Sequence, residues 1–382
     1  MGLIDNPRWA LAVMSHLIEP GDADLDDFLG EHGVAETMRC LEKGDVPERL
    51  RRMTVPNLVD GSAEQIARDI KDATEKCGAR VVIPTDDEWP EQLRDLQLLN
   101  DESDPHTRPP RILWVRGDGN LATLTKKSVA IVGSRNSTSY GDHVAGDISG
   151  DLAQRGWPVV SGGATGIDQA AHDGALIAYG ATVAVFANGL DQMYPVSGSR
   201  LFDRICQRGA LVSEWPPSSR PHRHRFLIRN RVIAALAAGT VVVEAERRSG
   251  ARNTARYAAE LERKLMYVPG PVTSSRSEGT HQLAREPWEA RLVTNADDVV
   301  EELTGELAPW PALHPRERDH LDEAANRVLD CFRSGYVVTS QWIAEQGKIP
   351  VQAVEHTLRQ LHRSGWVEQW EGRWRMSRRL AC

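Results

Sequence analysis

The sequence has few cysteines, no long apolar run and no excess of positive charge. Its 382 residues include five scattered cysteines without a Cys-x-x-Cys pair, which argues against a zinc knuckle and against a disulfide framework. No run of 18 apolar residues occurs, so we expect no transmembrane helix. The start of the chain lacks a basic segment followed by an apolar one, so we expect no signal peptide. Together these absences favour a reducing, cytoplasmic compartment.

The charge of the chain is unevenly distributed. The formal net charge is −8, which argues against a protein that coats nucleic acid without specificity. Residues 200–256, however, hold 12 basic residues (Lys and Arg) against 4 acidic ones. A basic stretch within an acidic chain indicates one defined site for an anionic ligand. The alternative is that these arginines form scattered surface ion pairs.

Length and composition predict a globular protein of two or three domains, with 41% hydrophobic and 26% charged residues. Short helices punctuated by glycines predict a small helical module over residues 1–75. An extended α/β domain is predicted over 76–306, with its core at 127–306, and a proline-bearing linker over 307–317. In residues 318–382 we expect three helices and a hairpin, which is the anatomy of a winged-helix domain.

The middle of the chain alternates short apolar runs with helical stretches. The apolar runs lack polar alternation, which is typical of strands buried on both faces. Strand-like runs occur at 81–84, 112–117, 129–132, 158–161, 182–186, 210–213, 240–244, 265–268 and 291–294. From residue 129 onward, helices are predicted between them, at 140–155, 167–179, 199–207, 229–238, 253–262 and 297–303. This order predicts right-handed βαβ crossovers and a doubly wound, Rossmann-like parallel sheet, so the fold class is α/β.

A polar loop follows the first strand of this block. It consists of Gly133, Ser134, Arg135 and Asn136. Loops at the carboxyl ends of the strands bind the ligand in doubly wound sheets. Glycine allows a ligand to approach the backbone, and the serine and arginine can donate to an oxyanion. The alternative is an ordinary turn with an incidental arginine.

A glycine-rich loop follows the second strand. Ser161, Gly162, Gly163 and Ala164 lead into a predicted helix, and amide groups at a helix N-terminus favour anions. No Gly-Lys-Ser/Thr follows, so the loop is not a Walker A motif, and the next strand lacks the acidic residue of a dinucleotide site. We therefore expect a phosphate cradle. The alternative for the neighbouring Asp168 and His172 is structural, as a turn cap and a packed side chain.

A third candidate segment combines arginines with an aromatic ring. Residues 220–231 carry five arginines and no acidic residue, and they include Phe226 followed by Arg229, Asn230 and Arg231. Single-stranded nucleic acid is bound by such a combination, because a ring stacks on a base while guanidinium groups hold phosphates. The alternatives are a solvated basic loop and, for the phenylalanine, a core position.

A fourth loop again lies between a strand and a helix. It contains Ser249, Gly250 and Arg252 within a cluster of arginines. Several such loops converge on one edge of the predicted sheet, and this convergence is more informative than any single motif. No nucleophile–base pair and no metal-ligand set is recognisable, so we expect no enzymatic activity, no metal and no cofactor. Glu244 is expected to hold an arginine.

Ordered motifs over residues 80–303 resemble the DprA family, also called Smf, of DNA-processing proteins of natural transformation. The motifs that carry the resemblance are Gly133-Ser134-Arg135, Ser161-Gly162-Gly163-Ala164 to Asp168, Gly189-Leu190-Asp191 with Tyr194-Pro195, Ser213-Glu214, Phe226 with Arg229-Asn230-Arg231, Val243-Glu244-Ala245 with Ser249-Gly250, and Val268-Pro269-Gly270. The helical first module resembles the sterile-alpha-motif (SAM)-like part of the family, and the last domain resembles its winged helix. The arrangement is that of an actinobacterial-type member.

The resemblance implies a function. Such proteins bind and protect incoming single-stranded DNA and help to load the RecA recombinase onto it, and they dimerise through the Rossmann-like domain. By motif, Ser134 and Arg135 would contact phosphate, Gly162 and Gly163 would cradle the DNA backbone, and Phe226 would stack on a base. Arg229 and Arg231 would line the pocket.

Two other functions remain open from the sequence. The first is a Rossmann-like nucleotide-processing enzyme similar to phosphoribohydrolases, although the glutamate of their glycine-rich motif is absent here. The second is a regulator that binds double-stranded DNA through the winged helix. Its candidate recognition helix, residues 351–363, has few basic side chains, which is unfavourable for reading the major groove.

Overall fold

The computed structural model describes six stretches of the chain, namely residues 2–58, 62–99, 107–306, 321–332, 337–370 and 372–377. The chain divides into two compact units, Met1–Ala308 and Pro309–Cys382. The predicted linker at 307–317 lies outside the described residues. Within those residues, every helix is too short or too polar to cross a membrane.

The first unit is built on one nine-stranded sheet. Its strands in chain order are β1 Ala79–Val82, β2 Leu113–Arg116, β3 Val129–Val132, β4 Val159–Ser161, β5 Thr182–Phe186, β6 Ala210–Ser213, β7 Gly239–Val242, β8 Lys264–Tyr267 and β9 Arg291–Leu292. These bounds agree with the predicted apolar runs to within about two residues, because the runs are buried on both faces. In β3, Val129 and Ile131 face one core while Ala130 and Val132 face the other.

The order of the strands across the sheet is β1-β2-β6-β5-β4-β3-β7-β8-β9. All pairs from β6 to β9 are parallel, which confirms the predicted doubly wound α/β sheet. The two preceding strands extend this sheet in antiparallel fashion, β1 on β2 and β2 on β6. After β6 the chain crosses to the other side of β3, so the direction of winding reverses between β3 and β7. This topological switch point is where such sheets bind ligands.

Helices cover both faces of the sheet. In chain order they are α1 Pro7–Leu17, α2 Ala23–Lys43, α3 Glu48–Thr54, α4 Ser62–Lys76, α5 Leu121–Thr125, α6 Ser139–Gln154, α7 Ile167–Ile177, α8 Ser199–Arg208, α9 Arg223–Leu236, α10 Gly250–Glu260, α11 Glu278–Leu283 and α12 Ala296–Thr304. Short 3₁₀ segments lie at Leu3–Asp5, Val55–Asn57, Glu91–Leu98, Val196–Gly198 and Ser275–Ser277. The prediction that α9 begins at residue 229 was wrong by six residues.

The N-terminal helices share a hydrophobic core with the sheet. Leu11 and Met14 of α1 belong to the same buried cluster as Trp114 of β2 and Phe186 of β5. The indole Nε1 of Trp114 also donates to Thr74 Oγ1 of α4, at 3.1 Å. The predicted short helices are partly merged, because α2 spans 21 residues and is kinked at Gly33, where φ is +74°. These helices therefore pack directly on the domain that carries the candidate loops.

The second unit contains three helices and a two-stranded antiparallel sheet. Its elements are α13 Glu323–Asp330, α14 Ser340–Gly347, α15 Val351–Arg363, β10 Val367–Trp370 and β11 Arg373–Met376. A bridge between Val338 and Trp374 joins the segment before α14 to the hairpin. Val328, Ile343, Leu358 and Trp374 lie in one buried cluster. This cluster gives the unit a hydrophobic core of its own.

Helices α6 and α7 approach each other through glycines. A Cβ added to Gly174 of α7 would lie 2.2 Å from the carbonyl oxygen of Gly146 of α6, and one added to Gly150 would lie 3.3 Å from Gly174 O. Backbone-to-backbone contact of this kind leaves no room for a methyl group. The two helices pack on one face of the sheet, in the same buried cluster as residues of β3 and β4.

We therefore expect Gly174→Ala to destabilise the protein by about 1–3 kcal/mol, as overpacking of a dense contact does. Gly30→Ala is the matched control, because Gly30 also lies inside a helix but nothing lies within 4 Å of an added Cβ. The control is expected to keep or gain about 0.5–1 kcal/mol, since alanine favours helix. Thermal unfolding of both variants measures this. Equal melting of Gly174→Ala and the wild type would contradict the close packing of α6 and α7.

Candidate functional site

A cleft of about 860 Å³ opens at the topological switch point. The loop after β3, residues 133–136, forms one wall, and the loop after β7, residues 246–250, forms another. The first two turns of α9 close a third side with Arg223, Phe226 and Arg229. The convergence of loops expected from the sequence is therefore present at this edge of the sheet.

The structure brings ten of the fifteen predicted site residues to this cleft. They are Gly133, Ser134, Arg135, Asn136, Ala164, Phe226, Arg229, Asn230, Ser249 and Gly250. The remaining five are not among the lining residues, namely Ser161, Gly162, Gly163, Arg231 and Arg252. Proximity alone does not test ligand binding, so the role of the ten residues stays a prediction.

The first two glycines of the glycine-rich loop are buried instead of open to a ligand. Ser161 Oγ donates to Ile131 O at 2.6 Å, beneath the edge of the sheet. A Cβ on Gly162 would lie 2.5 Å from Arg229 Nη1 and 2.6 Å from Asp168 Oδ2, and one on Gly163, where φ is +71°, would lie 3.2 Å from the Phe202 ring. The glycines are thus required by protein side chains that approach their backbone. The expectation that they cradle a DNA backbone is not met by this geometry.

A carboxylate of the protein lies at the N-terminus of α7. Asp168 is 7% exposed and accepts from the Ala164 amide at 3.3 Å. Burial raises the pKa of this carboxyl above its usual range, and the nearby Arg229 opposes the rise. Asp168 therefore caps the loop, as the structural alternative held, although its carboxyl also borders the cleft.

His172 is enclosed one helical turn further along α7. It is fully buried, and its Nδ1 lies 2.7 Å from Thr182 Oγ1. Because Thr182 Oγ1 itself donates to Val159 O, the histidine Nδ1 carries the proton that is donated to Thr182. Burial lowers the pKa of His172 to about 3, so the imidazole is neutral at physiological pH. Its position is that of a packed side chain.

Arg229 forms part of the floor of the cleft. The side chain is buried, and Nη1 donates to the carbonyl oxygens of Gly162, at 2.7 Å, and Val185. Burial lowers the pKa of Arg229 to about 10, which still leaves the group charged at neutral pH. Within the described residues its hydrogen bonds go to main-chain carbonyls, and the nearby Asp168 favours the charged form of the guanidinium. It contributes a fixed positive charge at the bottom of the cleft.

Arg231 does not line the cleft. Its side chain is fully buried and forms two hydrogen bonds with Glu214, from Nη1 at 2.5 Å and from Nη2 at 2.7 Å. Its Nε donates to Arg108 O at 3.0 Å. Burial by itself would lower the pKa of Arg231, but the Glu214 carboxylate raises it. The structure therefore does not place Arg231 in the cleft lining, because successive residues of a helix point in different directions, and its contact with a ligand stays an untested prediction.

Two other predicted residues hold the loop after β7. Asn230 Nδ2 donates to Gly250 O at 3.1 Å and to Asn253 Oδ1 at 3.2 Å. Arg252 pairs with Glu286 and donates from Nη1 to Arg247 O at 2.8 Å. These bonds fix the shape of the loop and direct Arg252 away from the cleft. Arg252 thus supports the loop after β7, whereas the sequence suggested that it contacts the ligand.

Phe226 lies half-buried between the core and the cleft. One side of it packs on a small cluster that contains Trp215 and Ile228. The guanidinium carbon of Arg135 lies 4.6 Å from the centroid of the Phe226 ring, and the Tyr194 ring lies 5.8 Å from it. Phe226 therefore packs on its inner side and lines the cleft with the rest of the ring, and its stacking on a base stays a prediction.

Sequence reasoning missed the second aromatic residue of the cleft. Tyr194 lines it and is 44% exposed. The Tyr194-Pro195 pair was visible as a motif, but nothing in the sequence indicates that this loop reaches α9. Three further exposed arginines, Arg223, Arg247 and Arg248, line the cleft, and none has a carboxylate within ion-pair distance among the described residues. Their charge is available to an anionic ligand.

Glu244 has a different partner from the one expected. Its carboxylate accepts from the Thr138 amide at 2.9 Å and from Thr138 Oγ1 at 2.6 Å, at the start of α6. A Cβ on Gly141 would lie 2.4 Å from Glu244 Oε2. The Glu244 carboxylate accepts hydrogen bonds at the amino end of α6, where the helix dipole favours negative charge. The expectation of an arginine partner was therefore wrong.

Comparison with known proteins gives consistent results. Residues 80–304 match the family model described as DNA recombination-mediator protein A. The chain is 41% identical to the putative DNA processing protein DprA of Mycobacterium tuberculosis, over 98% of this chain and 96% of the relative. It is 36% identical to protein Smf of Escherichia coli, over 68% of this chain and 69% of the relative.

Solved structures agree with this relationship. The X-ray structure of DNA processing protein A from Streptococcus pneumoniae matches with a TM-score of 0.59 at 30% identity, covering 77% of this chain and 96% of that one. DNA processing protein A from Helicobacter pylori, whose structure is described for its single-stranded DNA binding mode, matches with a TM-score of 0.50 at 28% identity. That match covers 59% of this chain and 95% of the other.

The Arg231–Glu214 pair gives a direct test of this site's geometry. We expect Glu214→Gln to lower the free energy of unfolding by about 3–5 kcal/mol, because it leaves a buried guanidinium without its counter-ion. Glu246→Gln is the matched control, since Glu246 is exposed at the rim of the cleft, and it is expected to unfold like the wild type. Urea titration measures both. A Glu214→Gln variant as stable as the control would contradict the burial of the Arg231–Glu214 ion pair.

Proposed function

This chain belongs to the DNA recombination-mediator protein A (DprA/Smf) family, and from that premise we propose that it binds single-stranded DNA in the cleft at the switch point. The observation that carries the proposal is the combination of the Phe226 ring with cleft arginines that form no ion pair with any of the described acidic residues. A π-face and unpaired guanidinium groups are what a single strand requires, because its bases are exposed and its phosphates are charged. The related Helicobacter pylori protein is described with single-stranded DNA.

In the proposed complex, arginines contact the DNA phosphates and Phe226 contacts a base. Arg135, Arg223, Arg247 and Arg248 hold phosphates at the rim, while the buried charge of Arg229 attracts the strand from the floor. A base stacks on the cleft-facing part of Phe226. Since the Arg135 guanidinium lies over that ring, the base displaces it, and the released side chain pairs with a phosphate. No step in this account reads a base edge, so binding is independent of sequence.

Several finer features belong to the same proposal. We propose that bound DNA is protected and passed to the RecA recombinase, that the protein dimerises through its α/β domain and that it acts in the cytoplasm. The unpaired thiols of Cys40, Cys77, Cys206 and Cys331 support a reducing compartment. We propose further that it acts by binding without catalysis. The enclosure of His172, which removes it as a general base, supports this, and a nucleotide-hydrolysis assay tests it against the phosphoribohydrolase alternative.

The proposal also assigns a fold to the N-terminal helices and to the second unit. We propose that residues 321–377 are a winged helix, supported by three helices followed by an antiparallel hairpin. We propose that the N-terminal helices are a SAM-like module. In the candidate recognition helix α15, Arg359 is an i,i+4 partner of Glu355, at 3.9 Å. This pairing lowers the positive charge of α15, so the single-strand cleft remains the favoured DNA site over the double-strand regulator.

The proposal predicts a preference for single-stranded over double-stranded DNA. Single-stranded oligonucleotides are expected to bind more tightly than duplexes of the same sequence, with little dependence on base composition. The affinity should fall steeply as salt increases, because arginine–phosphate contacts release counterions. Fluorescence anisotropy over a salt series measures both properties. Equal affinity for the duplex, or an affinity that does not respond to salt, would contradict the proposal.

Substitutions of Phe226 separate its stacking on a base from its packing in the protein. Phe226→Leu keeps an apolar side chain on the Trp215 cluster but removes the π-face, so it should lose about 1–3 kcal/mol of single-strand affinity with little change in melting temperature. Phe226→Trp should retain affinity, since any large ring can stack. Tyr179→Leu is the control, because Tyr179 is an exposed aromatic outside the cleft. If Phe226→Leu binds like this control, the ring is a packing residue only.

A further inference from the structure

We propose that Glu19, in the loop between α1 and α2, is a positioning residue for the DNA cleft, because it holds the first turns of α9 in place. These turns carry Arg223 and Phe226, both of which line the cleft. Glu19 itself is not among the lining residues, so it acts through α9 and not on the ligand. The inference rests on the proposed function, and it assigns a task in DNA binding to the N-terminal helices.

The start of α9 is unfavourable when considered alone. Its N-cap, His222, has an extended backbone but forms no capping hydrogen bond through its side chain. The first turn contains no acidic residue, and Arg223, His224 and Arg225 lie in it. Cations at the N-terminus of a helix are repelled by the helix dipole, and of the first turn's amides that of Arg225 is bonded only back to His222 O, at 3.0 Å. On its own sequence this segment would fray, and the sequence pattern predicted a helix only from residue 229.

Glu19 supplies the missing negative charge. Its Oε1 accepts from Arg225 Nε at 2.9 Å and from Nη2 at 2.5 Å, and it lies 3.8 Å from His224 Nε2. Its Oε2 accepts from the indole Nε1 of Trp215 at 2.8 Å. Burial alone would raise the pKa of Glu19, but the hydrogen bonds from Arg225 and Trp215 lower it below its usual value. The carboxylate is therefore ionised and fully engaged at neutral pH.

These bonds connect Glu19 to the underside of Phe226. The Arg225 guanidinium lies 5.6 Å from the ring of Trp215, and it also donates to Arg220 O at 2.9 Å. Trp215 and Phe226 pack in the same cluster. One carboxylate thus fixes the residue before Phe226 and the indole beneath it. If this anchor is removed, the ring and Arg223 lose the support that directs them into the cleft.

Simple electrostatics predicts the opposite outcome for the same substitution. If Glu19 only adds a negative charge near a basic cleft, then Glu19→Gln makes the region more positive and single-stranded DNA binds more tightly. If Glu19 positions α9, the same variant binds more weakly in spite of its greater positive charge. The sign of the change in affinity therefore separates the two interpretations.

The experiment measures the affinity of the full chain for an oligo-dT strand. Glu19→Gln is expected to raise Kd by about three- to thirtyfold, the range that corresponds to the loss of a helix cap. Amide hydrogen exchange in the DNA-free protein should be faster in residues 223–228 of the variant, because the start of the helix opens more often. His222→Ser in the Glu19→Gln background should recover part of both losses, since serine supplies the absent N-cap.

Asp86→Asn is the matched control. Asp86 forms a bidentate pair with Arg8, at 2.7 and 2.8 Å, that also fastens α1 to the domain but contacts no residue of the cleft. This variant is expected to lose stability while its folded fraction binds DNA like the wild type. If it weakens binding as much as Glu19→Gln does, the effect of Glu19 is general destabilisation.

The outcomes also separate this inference from the proposed function. An unchanged or tighter Kd for Glu19→Gln, with wild-type exchange at residues 223–228, overturns the positioning role and leaves single-strand binding intact. A wild-type protein that does not prefer single-stranded DNA overturns both. A weaker Kd with faster exchange in this segment, together with rescue by His222→Ser, supports the role of Glu19.

Discussion

Three consecutive side chains of α9 hold the cleft together. Arg229 binds the main-chain carbonyls of Gly162 and Val185, at the ends of β4 and β5. Asn230 binds the loop after β7 through Gly250, and Arg231 pairs with Glu214 after β6. One helix is thereby fastened to four strand ends, on both sides of the switch point. Loops are more mobile than the strands and helices that they connect. Because these bonds hold the strand-end loops, they give the cleft a fixed shape.

This arrangement separates the arginines into two groups with different tasks. The buried arginines are costly to remove from water, and each is stable only because fixed acceptors surround it. The buried Arg231 and the partly buried Arg252 therefore serve the fold, through Glu214 and Glu286. The exposed arginines at the rim have no such partners in the part of the chain that the structure describes, so their charge is available to a ligand. Arg229 belongs to both groups, since neutral carbonyls hold it while its charge reaches the cleft.

The sequence predicts the sheet well because the strand signal is local. The apolar runs that became β3, β5 and β6 need no knowledge of distant residues. The partners of buried side chains cannot be predicted from local sequence in this way. Arg231 and Glu214 are 17 residues apart, and Arg252 and Glu286 are 34 apart, so charge counting could not tell a buried ion pair from a free cation. The prediction of where α9 begins failed for the same reason. The carboxylate that stabilises this start, Glu19, lies some 200 residues away in the sequence.

The central claim is that single-stranded DNA occupies the cleft at the switch point. The most direct measurement is amide hydrogen exchange of the full chain with and without a saturating oligo-dT strand. Protection is predicted at residues 133–136, 223–230 and 246–250, the three segments that line the cleft, with little change at residues 351–377. Protection confined to residues 351–377, with the three cleft segments unchanged, would contradict the account.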